Sequence, residues 1–160
     1  MLETVVLGMG NVLLRDEGIG VHIVRRLQEM ALPENVRAVD AGTLDISPYF
    51  AQATRLIIVD AVKGGGEPGS IYRFCSQDVK PEQHVLTSVH QVGLLDELWL
   101  REMAGQSTKE VVIIGIEPEN MDWGLELSPR LRDRIPRIIN LVLEEVGIET
   151  ASSEERKVAI

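Results

Sequence analysis

The sequence predicts an α/β fold, a three-layer sandwich in which helices cover both faces of a mostly parallel, twisted sheet of about five strands. Two apolar runs, Leu56–Val59 and Val111–Ile114, are hydrophobic at every position, as expected of central parallel strands. Segments with helical periodicity separate the apolar runs. Strands that alternate with helices are typical of right-handed β-α-β units, and these two observations together predict the fold class.

The same patterns predict the elements in order. Strands are predicted at Thr4–Leu7, Val36–Val39, Leu56–Val59, Ser70–Phe74 and Glu110–Ile116. The fourth alternates only weakly between polar and apolar residues, which indicates an edge strand, with an antiparallel orientation as one option. Between the third and fourth strands, the glycine-rich segment Lys63–Gly69 is predicted to be a mobile loop close to the site.

Four helices are predicted between and after the strands. Helical spacing of apolar residues and start or stop signals place them at Gly18 to about Met30, from an Asp45 cap to about Ala53, at about Gln91–Ala104, and from Ser128-Pro129 to Val146. Ser128 is expected to cap the free amides of the last helix, and Gly147 to end it. Pro136 either kinks that helix or marks its true start.

Length and composition predict one domain at residues 1–147 and a polar tail at residues 148–160 that frays. A chain of 160 residues with 44% hydrophobic content buries about two thirds of the surface of its unfolded chain. Cys75 is the only cysteine, which excludes an internal disulfide and a cysteine-based zinc cluster, and we interpret it as a packed thiol.

Charge and hydropathy narrow the choice of partners. A formal net charge of −9 argues against nucleic acid and against anionic membrane surfaces, both of which would repel the chain. No apolar run approaches the length that spans a bilayer. The N-terminus lacks the positive charge of a signal peptide. We therefore expect a cytoplasmic protein. We also expect a monomer.

The chain is organised around the stretch Val5–Gly20, which predicts a strand, a loop that ends in Asp16 and Glu17, and a helix opened by Gly18 and Gly20. In an open parallel sheet, ligands bind outside the carboxyl ends of the strands. Glu17 is therefore the first candidate site residue.

A dinucleotide-binding fingerprint is the competing interpretation of this stretch. Gly8-Met9-Gly10 resembles its start, and Asp40 follows a second apolar run. However, Leu13 stands where the third glycine belongs, and about seven residues separate Gly10 from the helix start. A phosphate loop of the GxxxxGK[ST] type is also missing.

Three further polar residues are predicted at the same edge of the sheet as Glu17. Asp40 and Asp60 end the second and third strands, and His90 directly precedes a predicted helix. Two carboxylates and an imidazole suit a borderline divalent cation such as nickel, zinc or cadmium, and three protein ligands leave coordination positions open.

Each of these residues also has a structural explanation. Asp16 and Glu17 can stabilise a helix dipole, Asp60 can be a structural carboxylate, and His90 can cap a helix. A second group of residues is interpreted as structural or packing residues from the start: His22, His84, Met9, Met103, Met121, Trp99 and Trp123.

Five motifs in order resemble one known family. The segment Leu7–Gly20 closely resembles the N-terminal signature of the hydrogenase maturation endopeptidases, which trim the large-subunit precursor of nickel-iron hydrogenases. The later motifs agree: Asp40-Ala41-Gly42-Thr43, Val59-Asp60-Ala61, Ser88–Gly93, and Gly115-Ile116-Glu117-Pro118 followed by Gly124–Pro129. The likeness spans about residues 4 to 147, and motifs in this order are far more specific than any one alone.

The resemblance implies that Glu17, Asp60 and His90 correspond to the metal-binding trio of the family. The metal is then the nickel already installed in the precursor, and zinc or cadmium could take its place in a crystal. The implied reaction removes a C-terminal extension just beyond the last metal-binding cysteine motif of the large subunit.

A mechanism follows as a hypothesis. Nickel held jointly by substrate thiolates and by the trio would anchor the scissile peptide and polarise its carbonyl or a water molecule. Glu17 or Asp60 would serve as general base, and spacing does not decide between them. Asp40 is a further catalytic candidate, either orienting the other groups or activating the water.

Two alternatives remain open from the sequence. One is a metal-sensing or chaperone-like module that binds the nickel-loaded subunit without cutting it. The other is a nucleotide-binding enzyme that uses the Gly8 turn.

Overall fold

A computed structural model of the chain describes residues 3–44, 46, 48–49, 53–75, 105 and 110–148. Within these ranges five strands form one sheet in the order β2-β1-β3-β5-β4. The strands are β1 (Thr4–Met9), β2 (Val36–Gly42), β3 (Arg55–Ala61), β4 (Ile71–Cys75) and β5 (Glu110–Ile116). β1 runs parallel to β2 and β3, β3 runs parallel to β5, and β4 pairs with β5 in the antiparallel sense. The predicted mostly parallel sheet and its antiparallel edge strand are confirmed.

Two long helices lie in the described part of the chain. A turn of 3₁₀ helix at Arg15–Gly18 leads into α1 (Ile19–Gln28), and α2 (Pro129–Glu145) follows the last strand. α2 is continuous through Pro136, so the helix begins at Pro129 as the Ser-Pro pair predicts, and it ends just before Gly147. The predicted Asp45 cap, the helix at residues 91–104 and the tail from residue 149 lie outside the described residues.

Side chains that alternate along the strands divide the core into two layers. One layer lies beneath α1 and α2, and we call this side of the sheet the α1 face: its buried residues include Val6, Ile57, Val59, Val112, Ile114, Ile23, Leu27, Leu131 and Ile138. The other layer lies on the second face and includes Val5, Leu7, Leu56, Ile58, Val111 and Ile113, together with Ile46 and Ala53 from the segment after β2. Every interior position of β3 is buried, as expected of a central parallel strand.

Four strands extend beyond their predicted ends: β4 reaches Cys75, and β3 continues to Ala61, so Asp60 lies within β3 rather than directly after it. β1 continues through Gly8 to Met9, and β2 continues past Asp40 to Gly42, where the pairing of the two strands shifts its register. Asp40 therefore lies within β2 rather than directly after it. None of the helices in the described part of the chain combines the length and the hydrophobicity that crossing a bilayer requires.

A cluster of ion pairs joins the C-terminal end of α2 to the opposite end of the sheet from the predicted site. The Glu145 carboxylate accepts hydrogen bonds from Arg73 and, at 2.7 Å, from Arg55, whose Nε lies 3.0 Å from a Glu110 oxygen. Burial alone would raise the pKa of Glu145, but the two guanidinium groups outweigh that effect and lower it. A lowered pKa in the folded state means that the ionised form of Glu145 stabilises the fold.

Replacing Glu145 with glutamine tests this contribution. We expect Glu145→Gln to reduce the free energy of unfolding at pH 7 by about 1–2 kcal/mol, because a partly buried charged pair is lost. Because the folded pKa of Glu145 is lowered, the difference between wild type and variant should be complete above its ordinary value of 4.5 and should shrink as the pH falls through the lowered pKa. Urea unfolding of wild type and variant, from pH 7 down to below the lowered pKa of Glu145, measures this difference in the free energy of unfolding. A difference that grows on acidification would contradict the stabilising role of ionised Glu145.

Candidate functional site

The turn that carries Glu17 packs directly against the end of β1. A Cβ atom added to Gly10 would lie 1.9 Å from the backbone oxygen of Glu17, so only a glycine permits this approach. The backbone of Gly10 also has a positive φ of 129°, which favours glycine. Glu17 is thereby fixed at the carboxyl end of β1, where the sequence predicts it.

The start of α1 is held equally close to the neighbouring strand. A Cβ on Gly20 would meet the backbone oxygen of Val59 at 2.0 Å and that of Met9 at 2.5 Å. Val59 directly precedes Asp60 in β3, so the first turn of α1 lies against the strand end that carries this carboxylate. The space around these glycines is filled by backbone, which favours a packing role for the Gly8-Met9-Gly10 turn over phosphate binding.

Asp60 is fully buried near the carboxyl end of β3. Its Oδ1 accepts a hydrogen bond of 2.8 Å from the backbone N–H of Ala61. Leu56 and Ile58, which share its side of the strand by the two-residue alternation, pack in the core of the second face. A buried carboxylate at the carboxyl end of a parallel strand is a candidate functional residue.

Asp40 projects from the other side of the sheet. Asp40 is the register partner of Gly8 in β1, and Gly8 is the register partner of Val59 in β3. Register partners point to the same face of the sheet, and the side chain of Val59 packs under α1. Oδ2 of Asp40 lies 3.1 Å from Nε of Arg25 on α1, and the pair is partly exposed. The structure therefore places Asp40 and Asp60 on opposite faces of the sheet, and a direct catalytic role for Asp40 stays a prediction.

His90, the third member of the predicted trio, lies outside the described residues, as does His84. Among the residues that are described, no group of three or more histidine, cysteine, aspartate or glutamate side chains is arranged to hold a metal ion. The structure thus brings two carboxylates, Glu17 and Asp60, to one edge of the sheet. Their union with His90 remains a prediction.

Asp16 has a role that the sequence did not reveal. Its buried carboxylate accepts hydrogen bonds of 2.8–2.9 Å from the backbone N–H groups of Glu119, Asn120 and Ser128, and from the hydroxyl of Ser128. The predicted capping of α2 by Ser128 is wrong, because the serine hydroxyl is directed to Asp16 and makes no capping bond. Asp16 therefore fixes the 119–128 loop beside Glu17, which a helix-dipole interpretation of Asp16 did not anticipate.

The 119–128 loop is also joined to the chain before Glu17 by its backbone. Leu14 and Gly124 form a β-bridge, in which the N–H of Gly124 donates to Leu13 at 2.9 Å and the N–H of Arg15 donates to Gly124 at 3.0 Å. A surface cavity of about 630 Å³ lies along this loop. Its charged lining residues are Arg15, Arg132, Glu119, Asp122 and Glu126.

Another buried carboxylate, that of Glu117, orders the glycine-rich loop after β3. Oε2 of Glu117 accepts hydrogen bonds from the N–H of Gly64 at 2.6 Å and from the hydroxyl of Tyr72 at 3.0 Å, and the Tyr72 oxygen accepts the N–H of Gly66. Burial and the hydrogen bond to Glu117 raise the pKa of Tyr72. Glu117 and Tyr72 therefore hold the Lys63–Gly69 loop at Gly64 and Gly66, and its predicted mobility stays a prediction.

Among the residues interpreted as structural or packing residues, Met9 and His22 lie at buried or partly buried positions, whereas Trp123 does not. Met9 is buried in the core, and His22 is partly buried, with a pKa lowered by burial and by the charges of Arg25 and Arg26, which keeps it neutral. Trp123 is instead 77% exposed, so the packing prediction is wrong for it. Trp99 and Met103 lie outside the described residues.

The contrast between Asp16 and Glu17 leads to a test. We expect Asp16→Asn to lower the free energy of unfolding by about 3 kcal/mol. In the variant an NH₂ group replaces one carboxylate oxygen, so that it faces N–H donors and leaves them without an acceptor. Glu17→Gln, at a partly exposed position, should change the free energy of unfolding by less than about 1 kcal/mol. Urea unfolding measures both, and hydrogen exchange at the amides of Glu119, Asn120 and Ser128 should accelerate only in Asp16→Asn. Equal stability losses would contradict the division of roles.

Comparison with known proteins gives a consistent set of similarities. The family model described as hydrogenase maturation protease matches residues 21–145. The chain is 38% identical over 152 residues to the hydrogenase expression/formation protein HupD of Bradyrhizobium diazoefficiens, covering 89% of this chain and 79% of that protein. It is 33% identical over 160 residues to the hydrogenase 2 maturation protease of Escherichia coli, covering 96% and 98% of the two chains.

Solved structures agree with this similarity. The hydrogenase maturating endopeptidase HybD from Escherichia coli superposes with a TM-score of 0.78 at 32% identity, covering 92% of this chain and 96% of that chain. The hydrogenase 2 maturation peptidase from Thaumarchaeota archaeon SCGC_AB-539-E09 superposes with a TM-score of 0.73 at 32% identity, covering 92% and 99%.

Proposed function

Because the chain belongs to the hydrogenase maturation protease family, we propose that it removes the C-terminal extension of a nickel-iron hydrogenase large-subunit precursor after nickel insertion. Membership of this family makes the protein an endopeptidase of hydrogenase maturation. The proposal adds the substrate subunit, the dependence on nickel, and the residues that recognise the metal.

The observation that carries the proposal is the placement of Glu17 and Asp60. Glycines at positions 10 and 20 let the Glu17 turn and α1 close onto the ends of β1 and β3, so both carboxylates lie at one edge of the sheet. The Ser88–Gly93 motif, which resembles that of the family, supplies His90 as the third ligand. Two oxygens and one nitrogen leave coordination positions open for thiolates of the precursor.

The two carboxylates differ in ways that suit different tasks. Asp60 is fully buried, and the Ala61 N–H fixes one of its oxygens, so it is suited to holding a metal ion of the substrate in a set position. Glu17 is partly exposed, so that one of its carboxylate oxygens can bind the metal while the other takes a proton from a water molecule that enters with the substrate. We therefore assign the general base to Glu17. Asp40 enters this scheme only through its contact with Arg25 on the other face.

Dependence on nickel is the first test. Purified protein is given the precursor with and without nickel, and the products are weighed by intact mass spectrometry. We expect the nickel-loaded precursor to lose its C-terminal extension and the nickel-free precursor to keep its full mass. Equal trimming of the two forms would refute recognition through the metal, and binding of the loaded form without any cleavage would favour the non-cleaving chaperone-like module.

Substitution of the trio is the second test. Glu17→Gln, Asp60→Asn and His90→Ala should each abolish processing and shift the melting temperature by less than about 3 °C, as expected if the three residues serve the site rather than the fold. Glu29→Gln, which removes an exposed carboxylate just after α1, is the matched control and should process normally. Normal processing by any trio variant, or loss of activity only through unfolding, would contradict the assignment.

A further inference from the structure

An exposed apolar surface lies beside the proposed site. Leu13, Trp123 and Leu125 are 48%, 77% and 66% exposed, and we call these three residues the Trp123 patch. Large apolar side chains that are exposed together on a fixed backbone are typical of surfaces that bind other proteins, and tryptophan in particular is enriched at the centres of such interfaces.

The backbone under the patch is held in place by both halves of the chain. Leu13 and Gly124 are joined by a hydrogen bond, and Leu14 bridges to Gly124, so the two segments that carry the patch run side by side. The carboxylate of Asp16 fixes Glu119, Asn120 and Ser128 at the two ends of the same loop. A surface ordered in advance loses little entropy when a partner binds.

The position of the patch connects it to the reaction. The backbone N–H of Arg15 donates to Gly124 in the loop that carries the patch. Only Asp16 separates Arg15 from Glu17, the residue to which we assign the general base. A polypeptide whose scissile bond lies at Glu17 must pass over neighbouring surface on at least one side. The bridge between Leu14 and Gly124 places the Trp123 patch on the chain segments that adjoin the Glu17 turn.

Charge indicates what chemistry the partner has. Asp122 and Glu126 flank Trp123 and Leu125 in sequence, and both are exposed. With Glu119 they give the adjacent cavity three carboxylates against the two guanidinium groups of Arg15 and Arg132. An apolar side chain accompanied by a lysine or arginine complements this surface.

We propose that the Trp123 patch is the docking surface for the precursor segment next to the scissile bond, a segment that carries an apolar residue beside a basic one. This inference rests on the proposed function and adds the surface that selects the substrate. In this arrangement the trio recognises the metal, and the patch recognises the polypeptide.

The test is the double variant Trp123→Ala/Leu125→Ala, assayed on the nickel-loaded precursor. We expect KM to rise at least about tenfold while kcat stays within about twofold, because the patch binds substrate but lies outside the chemistry. Glu126→Lys should also raise KM, since it repels a basic residue. Met30→Ala is the matched control: Met30 is 43% exposed, follows the other end of α1, and should leave KM unchanged.

A binding measurement separates this inference from the proposed function. In a Glu17→Gln background, where no cleavage is expected, the two patch substitutions should weaken the affinity for the precursor at least about tenfold in calorimetric titration. Unchanged affinity and unchanged KM would overturn the docking surface while leaving wild-type processing intact. Self-association of the wild type that the patch substitutions abolish would overturn it too, because the patch would then bind a second copy of the chain.

Discussion

The close approach of α1 and its preceding turn to the ends of β1 and β3 is the constraint on which the site depends. Gly10 lies so close to the Glu17 backbone, and Gly20 so close to the Val59 backbone, that neither position has room for a Cβ atom. Any side chain there would push the turn outward and carry Glu17 away from the strand that holds Asp60. The glycines of the first motif therefore position a carboxylate, although the same pattern in a different spacing would bind a dinucleotide.

Neighbouring acidic residues in this turn have separate tasks. Asp16 is buried and uses both carboxylate oxygens to hold the 119–128 loop. Glu17 is partly exposed at the edge of the sheet. Glu117, on the other side of β3, likewise orders a loop. Its carboxylate accepts hydrogen bonds from the N–H of Gly64 in the glycine-rich loop and from the hydroxyl of Tyr72. Buried carboxylates thus hold the two loops that border the site, and the pre-formed backbone lowers the conformational entropy that the protein loses when a substrate binds.

The sequence predicted those features that depend on local patterns. Runs such as Leu56–Val59 and Val111–Ile114 identify buried strands because no polar residue interrupts them, and the Ser128-Pro129 pair identifies the start of α2. The partners of Asp16 could not be predicted, since they lie more than a hundred residues away and are backbone N–H groups that no side-chain pattern encodes. Hydrophobicity alone ends β2 at Val39 and places Asp40 at the site, whereas β2 continues three residues further to Gly42 and Asp40 lies on the α1 face, where it pairs with Arg25. Trp123 is expected to pack because large aromatic side chains are mostly buried, and no sequence pattern indicates that its loop leaves it 77% exposed.

Zinc bound to the protein alone tests the central claim most directly, since zinc accepts the same oxygen and nitrogen ligands as the metal of the substrate. A crystal soaked in zinc and measured at the metal absorption edge locates the ion by anomalous scattering. We expect one ion within about 2.0–2.2 Å of oxygens of Glu17 and Asp60 and of a nitrogen of His90. An ion bound elsewhere with the trio left unliganded, or a trio whose side chains are too far apart to share one ion, would contradict the proposed recognition of the precursor.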